Sequence, residues 1–537
     1  MPSARPPDLP PEPSWSGWGD PAEASELSDG LSQLLTQALG IRRPGRRVGP
    51  LSALAPPPSR IPATVRAALE SLLGAAHVLD DDEARIRHLR GKSTPDLLRL
   101  RAGDLADAPD LVLLPASHDE VLDTLRICSR ELVAVVPFGG GTSVVGGLEP
   151  RSDDFTGQIA LDLRRLNRLQ ALDEVSRVAV LEPGLRGPEA EALLGEHGFI
   201  TGHYPQSFEY ATIGGYAATR SSGQSSVGYG RFDEHVVGLR VATPTGELAL
   251  GRAPKSAAGP DLRQLILGSE GALGVITAVS LEVRPAPAVR AYEGWRFESF
   301  AAGAAVVRRL AQDGPRPTVL RLSDEAETAL NLARPAEIGA PGASCGCLAI
   351  VGFEGTAEDV AGRRREVTRV LEAAATGPEP DAGESWVRDR YHGPYLRDAL
   401  LDAGALVETL ETVTFWSSLP ELYAAVSGAL RDSLSAQGTP PVILCHISHV
   451  YPSGASLYFT VGCAALEDPL VQWRQAKAAA SDAILAAGGS ITHHHGVGRD
   501  HRDWYERELG RTAVRALRAV KAELDPQGIL NPGILIP

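Results

Sequence analysis

The chain has 537 residues, of which 43% are hydrophobic and 22% charged, with a formal net charge of −15. That is more chain than one core organises, so two or three cooperating units are expected, and the composition excludes a mainly disordered protein. The acidic balance, without a long Lys/Arg block, excludes a nucleic-acid partner, because phosphate-backbone binding needs a basic face.

No uninterrupted apolar run approaches the roughly 20 residues of a bilayer span. Met1 to Pro13 is polar and Pro-rich rather than signal-like, so the cytoplasm is the expected compartment. The five cysteines, Cys128, Cys345, Cys347, Cys445 and Cys463, lack the paired spacing of a zinc site and are expected to be reduced structural thiols.

In chain order, Pro6, Pro7, Pro10, Pro11 and Pro13 predict an arm or disordered tail, with Trp15 and Trp18 as docking anchors. Apolar spacing predicts helices over Asp29 to Leu39 and Ile61 to Leu73. A β-α-β opening follows: the run Leu111 to Pro115, a helix from Asp119 to Arg130, and a strand from Leu132 to Phe138. Further strands are predicted at Val236 to Thr243, Glu247 to Leu250 and Gly274 to Val283, closed by Pro285 and Pro287. A second unit begins near Ala291, with helices at Phe300 to Gln312 and Glu358 to Ala375. Its strands are expected at Val319 to Leu322, Leu348 to Phe353, Val442 to Val450 and Ser456 to Gly462. Helices at Trp473 to Ala487 and Thr512 to Leu524 close the chain. Strands and helices mix without strict alternation, so the expected class is α+β.

Three glycine and hydroxyl loops carry the first chemical signal. Pro137-Phe138-Gly139-Gly140-Gly141-Thr142-Ser143 follows a strand directly, and its glycines allow successive main-chain N–H groups to form an anion-binding nest. A Rossmann loop is the rival, but its third glycine would fall at Val144 and no helix opens there. A Gly-rich hairpin is the structural alternative. The second loop, Ser207 to Gly215 with Thr219-Arg220-Ser221-Ser222-Gly223 after it, and the third, Gly268 to Ile276, also flank strands. Together they suit a long ligand with a diphosphate, a ribityl chain and two rings.

In order and content these loops resemble the FAD domain of the vanillyl-alcohol oxidase and p-cresol methylhydroxylase superfamily. The resemblance implies that FAD is lined by Pro137, Phe138, Gly139, Gly140, Gly141, Thr142 and Ser143. It adds Gln206, Ser207, Phe208, Glu209, Tyr210, Ala211 and Thr212, then Thr219, Arg220, Ser221 and Ser222, then Glu270, Gly271, Ala272, Leu273, Gly274, Val275 and Ile276. No covalent attachment residue is singled out, so the expected FAD is non-covalent.

Thr492-His493-His494-His495-Gly496-Val497-Gly498-Arg499 is the discriminating segment. Three adjacent histidines suit proton transfer and phosphate binding. Zinc is disfavoured because adjacent histidines do not converge as an i, i+4 pair does and no nearby Cys or carboxylate completes a convincing ligand set; no metal is expected. A structural turn is the other alternative, since Gly496 and Gly498 mark a bend.

The triplet resembles that of the alkyldihydroxyacetonephosphate synthases, whereas the lactate and glycolate dehydrogenases of the superfamily resemble one another in a Gly-Glu-His-Gly segment. Trp15-Ser16-Gly17-Trp18-Gly19, Thr201-Gly202-His203, Arg321-Leu322 with Asp324, Tyr395-Leu396-Arg397-Asp398, Gly454 to Phe459 and Leu524-Asp525-Pro526 extend the likeness along nearly the whole chain. The implied architecture is an arm and helical segment over 1–105, a two-subdomain FAD domain over 106–290, an α+β cap over 291–465, and a helical segment over 466–537 completing the active site. Two departures stand out. Neither end carries a peroxisomal signal, which points to a bacterial, cytosolic setting. His446 stands where the eukaryotic proteins have an arginine.

These synthases exchange the ester-linked fatty acid of acyl-dihydroxyacetone phosphate for a long-chain alcohol, without net redox change, through covalent catalysis by FAD. The resemblance makes Tyr458 the acid/base, its pKa lowered by positive charge that His493, His494 and His495 partly supply. It makes Arg397 the phosphate ligand and Arg321 a second active-site cation. Expected partners are the phosphorylated lipid precursor, a fatty alcohol, a second copy in a homodimer, and peripheral membrane contact through a surface the sequence does not locate. Two alternatives remain: an FAD-dependent 2-hydroxy-acid dehydrogenase or oxidase, in which His493 to His495 take a hydroxyl proton, and a non-catalytic flavin-binding protein.

Overall fold

A computed structural model describes residues 12–41, 44–45, 49–330 and 346–537. Pro6, Pro7, Pro10, Pro11 and Cys345 lie outside the described residues. The class is α+β. A four-stranded sheet takes Val78–Leu79, Leu111–Leu113, Gly157–Asp162 and Val133–Phe138 in that spatial order, the last three parallel. A five-stranded antiparallel sheet centres on Val275–Glu282 and Val236–Thr243, and a seven-stranded antiparallel sheet holds Val319–Ser323, Val442–Val450, Gly454–Ala464 and Ala405–Phe415.

Local chemistry accounts for the β-α-β opening. The Ser117 side chain accepts the Glu120 N–H to start the helix His118–Glu131, whose Val121, Leu122, Leu125 and Cys128 are buried. The helix stops because Leu132 turns left-handed (φ 52°). The strand Val133–Phe138 therefore begins one residue later than expected, and it is apolar nearly throughout because it pairs in parallel beneath a helix.

Chain from before residue 106 joins this unit: Val65, Leu69 and Leu73 of the helix Ala63–Leu73 share one core with Leu111, Val135 and Ile159. Ile529 and Leu530, near the other end, complete that core. Likewise Trp473, Ala476 and Ala480 of the helix Pro469–Ala486 pack into the core of the seven-stranded sheet. The strands Gly157–Asp162, Val289–Phe297 and Ala405–Phe415 and the helices Pro380–Asp389, Gly393–Asp402 and Leu419–Ala436 add to the elements expected from sequence.

The segment after Pro13 is strapped onto the helix Gly393–Asp402. Asp398 accepts the Trp18 N–H, the Tyr395 hydroxyl accepts the Asp20 N–H, and Lys92 donates to the Ser14 carbonyl. Trp18 packs edge-on to Tyr210 at 5.8 Å, so it does anchor the segment. Among the described residues no helix is long and apolar enough to cross a membrane.

Candidate active site

The three glycine loops and the seven-stranded sheet enclose one large cavity of about 430 Å³. Pro137 to Ser143 leave the end of the parallel strand. Thr212 caps the short helix Ile213–Thr219 through the Gly215 N–H at 3.2 Å, and Glu270 to Ile276 lead into the strand Val275–Glu282. A Cβ on Gly139 would strike the Thr212 hydroxyl and one on Gly140 the Tyr210 carbonyl, so glycine is what allows the first two loops to touch.

Of the sequence-selected residues, Pro137 to Ser143, Gln206, Ser207, Ala211, Thr212, Thr219, Ser221, Ser222, Glu270, Gly271 and Gly274 to Ile276 line the cavity. Others stand behind its wall. Arg220 turns away to donate to the carbonyls of Leu267 and Gln264, while Ala272 and Leu273 sit in separate apolar clusters. Phe208 stacks on Tyr391, Tyr210 packs with Trp18 and Tyr395, and Glu209 is partly buried near His392, which leaves these three outside the lining.

Among the described residues, the main-chain N–H groups of Gly140, Gly141, Thr142 and Ser143 donate to no protein acceptor. Four free donors in a glycine bend fit the pyrophosphate of a flavin dinucleotide.

The opposite wall carries the ionisable groups. Tyr458, on the strand Gly454–Ala464, lies ring-on-ring with His446 at 5.0 Å and edge-on to His495 at 5.5 Å. His494 is 6.3 Å away from it, centroid to centroid. His494 and His495 line the cavity; His493 stands behind them, its Nε2 against the Tyr451 hydroxyl at 2.6 Å.

Two buried carboxylates hold the histidine loop in place. Glu411 accepts the N–H groups of His493, His494 and His495, and Glu270 accepts those of Val497 and Gly498 at 2.7 and 2.8 Å. Burial opposes ionisation of Glu411, but His494 and His495, charged only in acid, and these hydrogen bonds outweigh it and hold its carboxyl down at about 2. At Glu270 burial wins, pushing the carboxyl up to about 7 against the two N–H donors.

The expected electrostatics are reversed at Tyr458. Burial pushes its phenol up to about 12, with Glu408 and Glu411 adding to the rise against Thr409 and Arg397. Burial also lowers His493, His494 and His495, the last to about 3, so near neutral pH these rings are uncharged and do not supply positive charge.

Both candidate arginines line the cavity but are already engaged. Arg321 donates to Glu327 and approaches His446 Nδ1 at 3.1 Å. Although burial opposes it, His446 and Arg321 hold the Glu327 carboxyl well below the usual carboxylate range. Arg397 donates from Nε and one terminal nitrogen to Asp398, at 3.1 and 2.9 Å, and from the other to the Lys92 carbonyl at 2.5 Å.

His449 and Glu411 were not singled out from sequence. His446 and His449 are three apart, which in a regular strand puts them on opposite faces. A register shift between Ile447 and Val450 lets both line the cavity. One ring nitrogen each from His449, His493 and His494 lies within 4.8 Å of the others. The fold thus does converge these rings, contrary to the expectation from sequence, but Ser222, Tyr451 and a His493–His494 contact at 3.0 Å already partner them.

Residues 109–250 match the family model described as an FAD binding domain, and residues 286–535 match that of FAD linked oxidases, C-terminal domain. The alkyldihydroxyacetonephosphate synthase of Dictyostelium discoideum is 36% identical over 502 residues, covering 90% of this chain and 82% of that protein. A solved structure of an alkyldihydroxyacetonephosphate synthase aligns over 97% of this chain and 98% of that one, at 30% identity and a TM-score of 0.81. p-Cresol methylhydroxylase with substrate bound shares the fold, with a TM-score of 0.65 at 16% identity over 89% of this chain and 98% of that one. Matching sequence along nine-tenths of its length and matching architecture throughout, the chain belongs to the alkyldihydroxyacetonephosphate synthase family of FAD-linked enzymes.

Proposed function

We propose that the chain is an FAD-dependent alkyldihydroxyacetonephosphate synthase, replacing the acyl chain of acyl-dihydroxyacetone phosphate with a fatty alcohol to form an ether lipid precursor. The observation that carries the reading is the placement of Tyr458, on the cavity wall facing the glycine loops and flanked by His446, His494 and His495. Bound non-covalently along those loops, FAD supplies covalent catalysis without net electron transfer.

The chain's own task is to move protons and hold substrate. The alcohol must lose its hydroxyl proton as its oxygen bonds to carbon. A phenol held at about 12 cannot take that proton and keep its own. Tyr458 therefore relays it, accepting from the alcohol while donating to a neighbouring neutral imidazole of His494 or His495. Burial leaves these rings unprotonated near neutral pH, so each keeps a ring nitrogen lone pair for that proton. Arg321 and Arg397 add positive potential along the cavity for a phosphorylated substrate.

The competing dehydrogenase chemistry is separated by rapid anaerobic mixing of the flavin-loaded protein with D-lactate and with glycolate. The flavin spectrum is expected to stay oxidised; bleaching within the turnover time would replace this reading with hydride transfer. A homodimer, a cytoplasmic location and peripheral contact with a membrane fit a lipid-handling enzyme of this kind, and co-sedimentation with liposomes tests the last of these.

A further inference from the structure

Arg390 follows the helix Pro380–Asp389 and lines the cavity, yet its Nε and one terminal nitrogen are buried and hydrogen-bonded to nothing among the described residues. Its guanidinium carbon lies 4.9 Å from the ring centroid of Tyr391, 5.5 Å from that of Tyr204 and 5.8 Å from that of Trp386. Three aromatic rings fix the plane of the fork while leaving its Nε and one terminal nitrogen unused. Nearby, the buried Gln224 Oε1 is also unpartnered, and the Gln224 amide donates to the Arg390 carbonyl at 3.4 Å. Arg397 and Arg321 face the same cavity but are ion-paired to Asp398 and Glu327, Arg321 keeping its buried Nε unpartnered, whereas Arg390 forms no ion pair among the described residues. A buried, oriented and unneutralised guanidinium is the arrangement that an oxyanion completes.

From this we infer that Arg390 is a further residue that grips the substrate's phosphate monoester, donating to two of its oxygens from Nε and a terminal nitrogen, beside Arg397 and Arg321. The inference rests on the proposed function for a phosphorylated substrate. The cofactor's pyrophosphate is the other phosphate source, but the free N–H groups of Gly140 to Ser143 already answer to it.

The test uses flavin-loaded full-length protein, following the flavin absorbance on titration with dihydroxyacetone phosphate, inorganic phosphate and unphosphorylated dihydroxyacetone. Arg390→Gln is expected to weaken dihydroxyacetone phosphate and inorganic phosphate by about 100-fold, the scale for losing a charge-assisted bidentate contact. Dihydroxyacetone binding and FAD content should not change. Arg390→Lys keeps the charge and serves if the Gln variant does not fold; it should still bind both phosphates at least about tenfold more weakly, because a point charge lacks the fork. Unchanged phosphate affinity in either folded variant overturns the assignment, and so does loss of FAD with phosphate affinity retained. Because the readout is binding, it stands apart from turnover: a wild-type protein that binds phosphate through Arg390 but makes no ether would refute the reaction and leave the site.

Discussion

The Glu411 carboxylate accepts the main-chain N–H of His493 at 2.7 Å and sits beneath the whole histidine triplet, fixing the loop by its backbone so that His494 and His495 can face the cavity. Glu411→Ala would strand three buried donors together with the Thr492 hydroxyl, so we expect a loss of about 3 kcal/mol or more, read from urea unfolding. The folded-state carboxyl is depressed, so its contribution is present above the ordinary value of 4.5 and is lost as pH falls toward about 2. Wild type should therefore lose stability across that acid window while the variant shows a flatter profile. Equal slopes would contradict the account.

Glu270 has the opposite sign. With its carboxyl raised from 4.5 to about 7, the favourable contribution of the neutral form is fully present below pH 4.5 and is lost as pH rises through 7. A difference of this size amounts to about 3 kcal/mol. Thermal melts of flavin-free protein should show Glu270→Gln gaining on wild type between pH 5 and 8, and a constant difference over that range would count against the assignment.

The strap before the first core helix depends on one glycine. Gly19 has φ +55°, and a Cβ there would meet the Tyr395 ring and hydroxyl. Gly19→Ala should cost about 1–3 kcal/mol and loosen Trp18 from Tyr210. Chymotrypsin digestion is a suitable check: the bonds after Trp15 and Trp18 should become cleavable at lower enzyme concentration than in wild type.

Tyr458→Phe should retain FAD while slowing turnover by about 10²–10⁴-fold, the range for removing a positioned acid/base. Flavin content by absorbance and turnover by product formation separate the two effects. An active Phe variant would remove the phenol from the reaction.

Much of this was legible in the chain itself, for identifiable reasons. The strand Val236–Thr243 and the helix Phe300–Gln312 have period, length and boundary residues that agree, and both appear where the pattern puts them. The glycine loops were legible because a nest and a close loop contact both demand glycine. What stayed hidden depends on partners remote in sequence. Glu411 reads as one of several polar residues in the strand Ala405–Phe415, alongside Glu408 and Thr412, until the loop 82 residues later docks on it. His449 reads as facing away from His446 until a bulge turns it, and the free donors of Arg390 are visible only once the other arginines have found their carboxylates. The protonation states were misjudged in direction: charge was expected of three histidines, but burial keeps them neutral.

The most direct test of the central claim is to incubate the purified flavin-loaded protein with acyl-dihydroxyacetone phosphate and hexadecanol bearing an ¹⁸O hydroxyl, and to analyse the lipid product by mass spectrometry. The account predicts an ether-linked product that retains the label, with release of one unlabelled fatty acid per ether and no net flavin reduction. Absence of the ether from active-site-loaded protein, or an ether whose oxygen is unlabelled, would contradict it.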